Sequence, residues 1–177
     1  MNHSSLILAM TEYEIGSVER VNHFLKVFAF AKTIGEGEGF SPELQEITET
    51  AAIVHDIGIK PSLEKYGSGA GEYQEREGPA VAEEMLGKLG YSQDIIDRVC
   101  FLVGHHHTYS NIDGLDYQAL VEADFLVNIF EGGMQRSEIE AVRRNIFRTE
   151  TGKKLLDMLF LQEKCPPGKR QLLGRKR

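Results

Sequence analysis

The chain has no tryptophan and only two cysteines among its 177 residues. Cys100 and Cys165 stand far apart and form no CxxC pattern, a usage that suits a reducing compartment. Cys100, within Val99-Cys100-Phe101-Leu102, reads as a small core residue. No apolar run reaches the length of a membrane span, and the N-terminus lacks a basic stretch followed by a long apolar one, so the expected location is the cytoplasm. Positive charge is also short: 20 Lys and Arg against 27 Asp and Glu leave a net charge of −7. That balance argues against a general nucleic-acid or membrane-surface binder. The exception is a basic tail, in which Lys164, Lys169, Arg170, Arg175, Lys176 and Arg177 surround Cys165-Pro166-Pro167-Gly168; it reads as a solvated terminus. Alternating strand patterns and internal repeats are missing as well.

What remains is helical periodicity almost throughout, so the expected class is all-α. A hydrophobic content of 41% supports one folded domain over 1–177, with a core about 17–131, C-terminal helices over 137–162 and the tail at 163–177. Ser17 can cap a helix carrying Val18, Val21, Phe24, Leu25 and Phe28, with Gly35 to Gly39 ending it. Ser41-Pro42-Glu43 is a helix start, and Leu44, Ile47, Ala51, Val54 and His55 then share a face, with Gly58 and Pro61 as the stop. Residues 61–77 read as a mobile connection or lid. Gly67 to Gly71 within it is no phosphate loop, because no Lys-Ser/Thr follows at the required spacing. Helices are expected from Gly78-Pro79, from Ser92 to Gly104, from an Asp116 cap, from a capping box of Ser137 with Glu140, and over 151–162.

Polar residues inside the apolar stretches carry the chemistry. His55-Asp56 lies within Ala51-Ala52-Ile53-Val54-His55-Asp56-Ile57-Gly58. Burying two ionisable side chains is costly unless they are paired or hold a metal. Imidazole nitrogen with carboxylate oxygen suits divalent ions. His23 and Asp124 are similar intruders, each within an apolar helical pattern. Three consecutive imidazoles, His105-His106-His107, directly follow the helix end at Gly104.

His, then His-Asp, then Asp on consecutive helices resembles the HD-domain metal-dependent phosphohydrolase superfamily. The resemblance covers about residues 17–131 and rests on Val21-Asn22-His23, on Ala52 through Gly58, on Gly104-His105-His106-His107 and on Glu122-Ala123-Asp124. It implies an all-helical domain around one or two divalent ions (Mn, Fe, Ni, Co, Zn or Mg), with His23, His55, Asp56 and Asp124 as ligands. Two-metal members carry a further histidine at the start of the helix expected here near Gly78. Gln74-Glu75-Arg76-Glu77 has none, though Glu75 and Glu77 are carboxylates, so one tight ion is expected, with a second weak or absent. The activity implied is hydrolysis of a small phosphoester, with a nucleotide in view. Asp56 would bind the ion and orient its water. Lys60 and Arg76 are candidates to hold substrate phosphate. His105 or His106 would protonate the leaving oxygen, and His107 should matter least. Two alternatives stand beside this reading. One is a non-catalytic domain that binds metal or nucleotide; the other is a di-iron oxygenase, which needs two irons.

Overall fold

In the computed structural model, which describes residues 3–162, the chain is helical from α1 to α9, and no strand occurs among the described residues. The helices are α1 (Ser4–Tyr13), α2 (Val18–Glu38), α3 (Pro42–Val54), α4 (Ile59–Tyr66), α5 (Gly71–Lys88), α6 (Gln93–Val103), α7 (Leu115–Glu131), α8 (Arg136–Asn145) and α9 (Glu150–Leu156). A single 3-10 turn, His55–Gly58, joins α3 to α4, and a π-type turn, Asp157–Leu161, follows α9. The basic tail expected at 163–177 lies outside the described residues. None of these helices is long and apolar enough to cross a membrane.

The centre is built by α2, α3 and α7, which pack pairwise. The last seven residues of α3, Thr48 to Val54, are all buried, and α7 is buried along most of its length. Side chains such as Ile53, Leu120 and Leu126 each contribute about 1.5–3 kcal/mol on burial. α5 and α6 pack on each other and onto the 3-10 turn, so that turn is held from two sides. Gly78 lets α5 come this close: a side chain there would meet Val103 at 2.6 Å and lie 3.5 Å from the backbone of Gly58.

Several boundaries differ from the sequence reading, each for a local reason. α2 runs through Gly35 and Gly37 and stops at Gly39, which takes the left-handed conformation at φ 73°. The two earlier glycines are packing positions inside the helix, where Gln45 and Thr151 occupy the space that side chains would fill. Gly58 and Pro61 do not stop the chain, because Pro61 falls in the first turn of α4, where its missing N–H costs nothing. Residues 61–77 are mostly α4 and the start of α5, not a mobile connection. Lys65 and the Tyr66 hydroxyl both bind Glu77, and Tyr66 stacks on Tyr73 at 4.3 Å. Gly78-Pro79 is therefore interior to α5, which begins at Gly71.

Asp116 does not cap α7. It sits inside the first turn, and Arg98 donates to both its oxygens at 2.7 and 2.8 Å. The capping box of α8 is Gln135 with Glu138, two residues before the expected Ser137 pair. α1, which the sequence reading leaves out of the core, buries Leu6 and Met10 and packs on α3. At the other end, the buried carboxylate of Glu122 accepts from Gln118 Nε2, Arg148 N and Thr149 N at 2.8, 2.5 and 2.9 Å, tying α7 to the start of α9.

Candidate metal centre

His23 of α2 and His55 and Asp56 of the 3-10 turn bring ligand atoms within 4.8 Å of one another, and Asp124 of α7 stands against both histidines. His23 lies mid-way along α2, and Asp124 sits in the buried stretch of α7. His55 and Asp56 open the 3-10 turn at the end of α3. His23 Nε2 is 3.2 Å from His55 Nε2, 3.1 Å from Asp124 Oδ1 and 3.4 Å from Asp56 Oδ2. His55 Nε2 is 3.4 Å from the same Asp56 oxygen and 3.6 Å from the same Asp124 oxygen. Donors about 2.1 Å from a shared ion stand roughly 3.0 Å apart at octahedral angles and roughly 3.4 Å apart at tetrahedral ones. Four of the five distances fall in that range, and the His55–Asp124 pair at 3.6 Å lies just beyond it.

Tautomers are set by the backbone. His55 Nδ1 lies 2.9 Å from the carbonyl of Ala52, and His106 Nδ1 lies 2.8 Å from that of Val103. A carbonyl oxygen only accepts, so each Nδ1 carries the proton and each Nε2 presents its lone pair inward. His23 Nδ1 is 2.8 Å from Glu131 Oε2, and Lys26 holds the other oxygen of Glu131. This carboxylate–imidazole pair orients His23 and raises its basicity. Two imidazole lone pairs facing each other at 3.2 Å repel unless a proton or a cation lies between them.

A second group shares Asp56. Its other oxygen, Oδ1, lies 3.5 Å from His106 Nε2, and ligand atoms of Asp56, His106 and His107 all fall within 4.8 Å of one another. His106 Nε2 and His107 Nε2 are buried with no hydrogen-bond partner. Orphaned imidazole nitrogens beside a carboxylate are the donor set a divalent ion takes. The residues present therefore fit an ion at the first position and offer donors for another across Asp56.

The electrostatics agree with a cation-seeking site. Burial opposes charging His55, but Asp56 and Asp124 outweigh it and push its pKa up to about 9. Burial would raise the Asp56 carboxyl, yet the histidines around it hold it well below the usual carboxylate range, and the same is true of Asp124. His23 is raised, with Asp124 and Glu131 overcoming its burial. His107 goes the other way: burial and the neighbouring His106 push it down to about 4, so its ring is neutral at pH 7. Access is from the His23 and Asp56 side, where the side chains are 12% and 18% exposed against 1% for His55.

A family model described as HD domain matches residues 20–146. The chain belongs to the HD-domain family. A crystal structure of a predicted HD superfamily hydrolase from an uncultured Thermotogales bacterium is similar to it, with 22% identity and a TM-score of 0.63. The match covers 88% of this chain and 84% of that one, and it shows a shared fold. None of the curated proteins compared matches the chain.

Within this HD domain, His23, His55, Asp56 and Asp124 come together, and His106 joins them through Asp56. Three other expected site residues do not. Lys60 Nζ reaches the carbonyl of Tyr13 at 3.4 Å and lies over the Tyr13 ring at 4.9 Å. Arg76 is exposed over the Tyr66 and Tyr73 rings. His105 stacks on Phe101 at 4.2 Å and donates its Nδ1–H to Phe101 O, outside both ligand groups. His107, expected to matter least, instead stands beside Asp56 and His106. Glu77 is taken by Lys65 and Tyr66, so it supplies no ligand to either group. The sequence reading missed Glu131, although a signal existed: it falls seven residues after Asp124, on the same face of α7.

Proposed function

We propose that this HD domain is a metal-dependent phosphohydrolase acting on a small phosphoester, with nucleotides the first class to test. The observation that carries the reading is a pair of imidazole nitrogens 3.2 Å apart, His23 and His55, each within 3.1–3.6 Å of a carboxylate oxygen of Asp56 and of Asp124, at the buried junction of α2, α3 and α7. His23, His55, Asp56 and Asp124 would hold a divalent ion, and Asp56, His106 and His107 are placed to hold a second. A bound ion supplies acidified water and positive charge to offset the phosphoryl oxygens. Asp56, a carboxylate at neutral pH and the most open of the group, would accept a proton from that water while fixing its direction. Without an ion at the second position, His106, with Nδ1 pinned to Val103 O and Nε2 directed at Asp56 Oδ1, could take that proton from Asp56 and pass it to the leaving oxygen; with an ion there, Nε2 would be a ligand instead.

One observation favours a second reading, a non-catalytic domain that binds metal or nucleotide. Lys60 and Arg76, the cations expected at the substrate phosphate, are engaged elsewhere. A panel of nucleotides and sugar phosphates, each with manganese, nickel, cobalt or magnesium, separates the two. The phosphohydrolase releases inorganic phosphate from at least one of them only with metal. Tight binding of a nucleotide with no phosphate release in any combination would establish the other. Oxygen consumption by the iron-loaded protein is the control for oxygenase chemistry.

A further inference from the structure

His107 reaches the site from a short segment after α6 that cannot hold it there unaided. His107 is flanked by His106 and Thr108 in an irregular stretch, and its Nε2 is buried without a partner. Its position depends on the first turns of α5. Glu75 Oε1 accepts from the His107 backbone N–H at 3.0 Å and from Thr108 Oγ1 at 3.0 Å. Glu75 Oε2 lies 3.3 Å from the same hydroxyl. The Tyr117 hydroxyl lies at the carbonyls of His105 and Thr108, closing the segment from the α7 side. Gly71, the first residue of α5, lies flat against the imidazole. A Cβ there would stand 2.7 Å from His107 Cδ2 and 2.8 Å from Cγ, closer than real contacts allow. Gly71 does not have a positive φ, so its backbone tolerates alanine and only the ring obstructs one.

We infer that Glu75 and Gly71 are positioning residues for a second metal site formed by Asp56, His106 and His107. In this chain α5 contributes a brace to that site rather than a ligand. The carboxylate fixes the backbone of His107, and the missing side chain of Gly71 leaves the ring room to turn towards Asp56. Neither residue reaches the first group, which is built from α2, the 3-10 turn and α7. The inference rests on the two-position reading of the metal centre and predicts that the two positions respond separately.

The test titrates manganese into metal-free full-length protein and its variants by calorimetry. Electron paramagnetic resonance follows the coupling between paired ions. The wild-type protein should take two equivalents. Glu75→Ala should weaken the second by about tenfold to a hundredfold, the usual cost of removing a group that orients a ligand, and leave the first unchanged. Glu75→Gln retains an acceptor for the His107 N–H and should lose less. Gly71→Ala should weaken the second ion and abolish the coupled signal while holding or raising the melting temperature, because alanine favours the helix more than glycine does. This variant keeps the test open if Glu75→Ala fails to fold. Unchanged second-ion affinity in Glu75→Ala or Gly71→Ala would overturn the inference, as would equal weakening of both ions. A wild-type protein that takes only one equivalent would refute the two-position reading beneath it, a distinguishable result.

Discussion

Stripping the metal should destabilise the protein, and the penalty should grow with pH. Without an ion, two inward imidazoles stand 3.2 Å apart, each 3.1–3.6 Å from a carboxylate oxygen of Asp56 and of Asp124. An ion present at a thousand times its dissociation constant stabilises the fold by about 4 kcal/mol. For a domain of this size each kcal/mol moves Tm by about 2–4 °C, so loading should raise Tm by about 8–16 °C. The pH dependence follows from His55, whose metal-free pKa stands at about 9 against an ordinary 6.5. A raised folded-state pKa contributes stability that is fully present below pH 6.5 and is lost as pH rises through 9. The stripped protein should therefore weaken across that window. The loaded protein should not, because a metal-bound imidazole is already deprotonated, and binding releases a proton throughout the window. The assay is differential scanning calorimetry of metal-loaded and dialysed protein between pH 6 and 9, with elemental analysis of both. A Tm indifferent to confirmed metal removal, or a gap that narrows as pH rises, would refute this reasoning.

Other predictions follow from single contacts. Glu131→Ala removes the partner of His23 Nδ1 and should lower affinity for the first ion by about tenfold to a hundredfold, measured against a competing chelator. His106→Ala should cut phosphoester turnover on the order of a hundredfold, whereas His105→Ala, whose ring stacks on Phe101, should turn over at close to the wild-type rate. Glu122→Ala leaves the buried N–H of Thr149 and the N–H of Arg148 without their acceptor and should cost about 3 kcal/mol, read as a drop in the urea midpoint.

The sequence pattern revealed α2, α3 and α6 because each has a buried stripe and at least one clear end signal, and α7 by its apolar periodicity alone, since its expected Asp116 cap lies inside the helix. It revealed His23, His55, Asp56 and Asp124 because each is an ionisable side chain in an apolar setting, and only a partner or a metal makes that tolerable. What it hid was set by tertiary contact. Gly35 and Gly37 look like a helix stop, but Gln45 and Thr151 occupy the space where their side chains would be. Gly78-Pro79 looks like a helix start, but helix propensity is outweighed where α5 presses on Val103 and the 3-10 turn. Glu131 looks like an ordinary surface acid, since its partner lies 108 residues away, and Glu75, noted in the sequence as a carboxylate near the site, turns out to hold the His107 backbone 32 residues away and not an ion. Lys60 is a candidate for the phosphate on charge alone, since phosphoryl transfer needs its negative charge neutralised. In the fold it turns back to close the end of α1.

The most direct test of the central claim is Asp124→Asn, which keeps the size of the side chain and removes the charge that His23 and His55 both face. Metal content and metal-dependent phosphate release should be measured side by side for this variant and the wild-type protein. Wild-type protein should retain divalent metal and lose its phosphate release on chelation, while the folded variant should lack both the metal and the activity. A variant that keeps its metal and its rate, or a wild-type protein that hydrolyses the same substrate after complete metal removal, would contradict the claim.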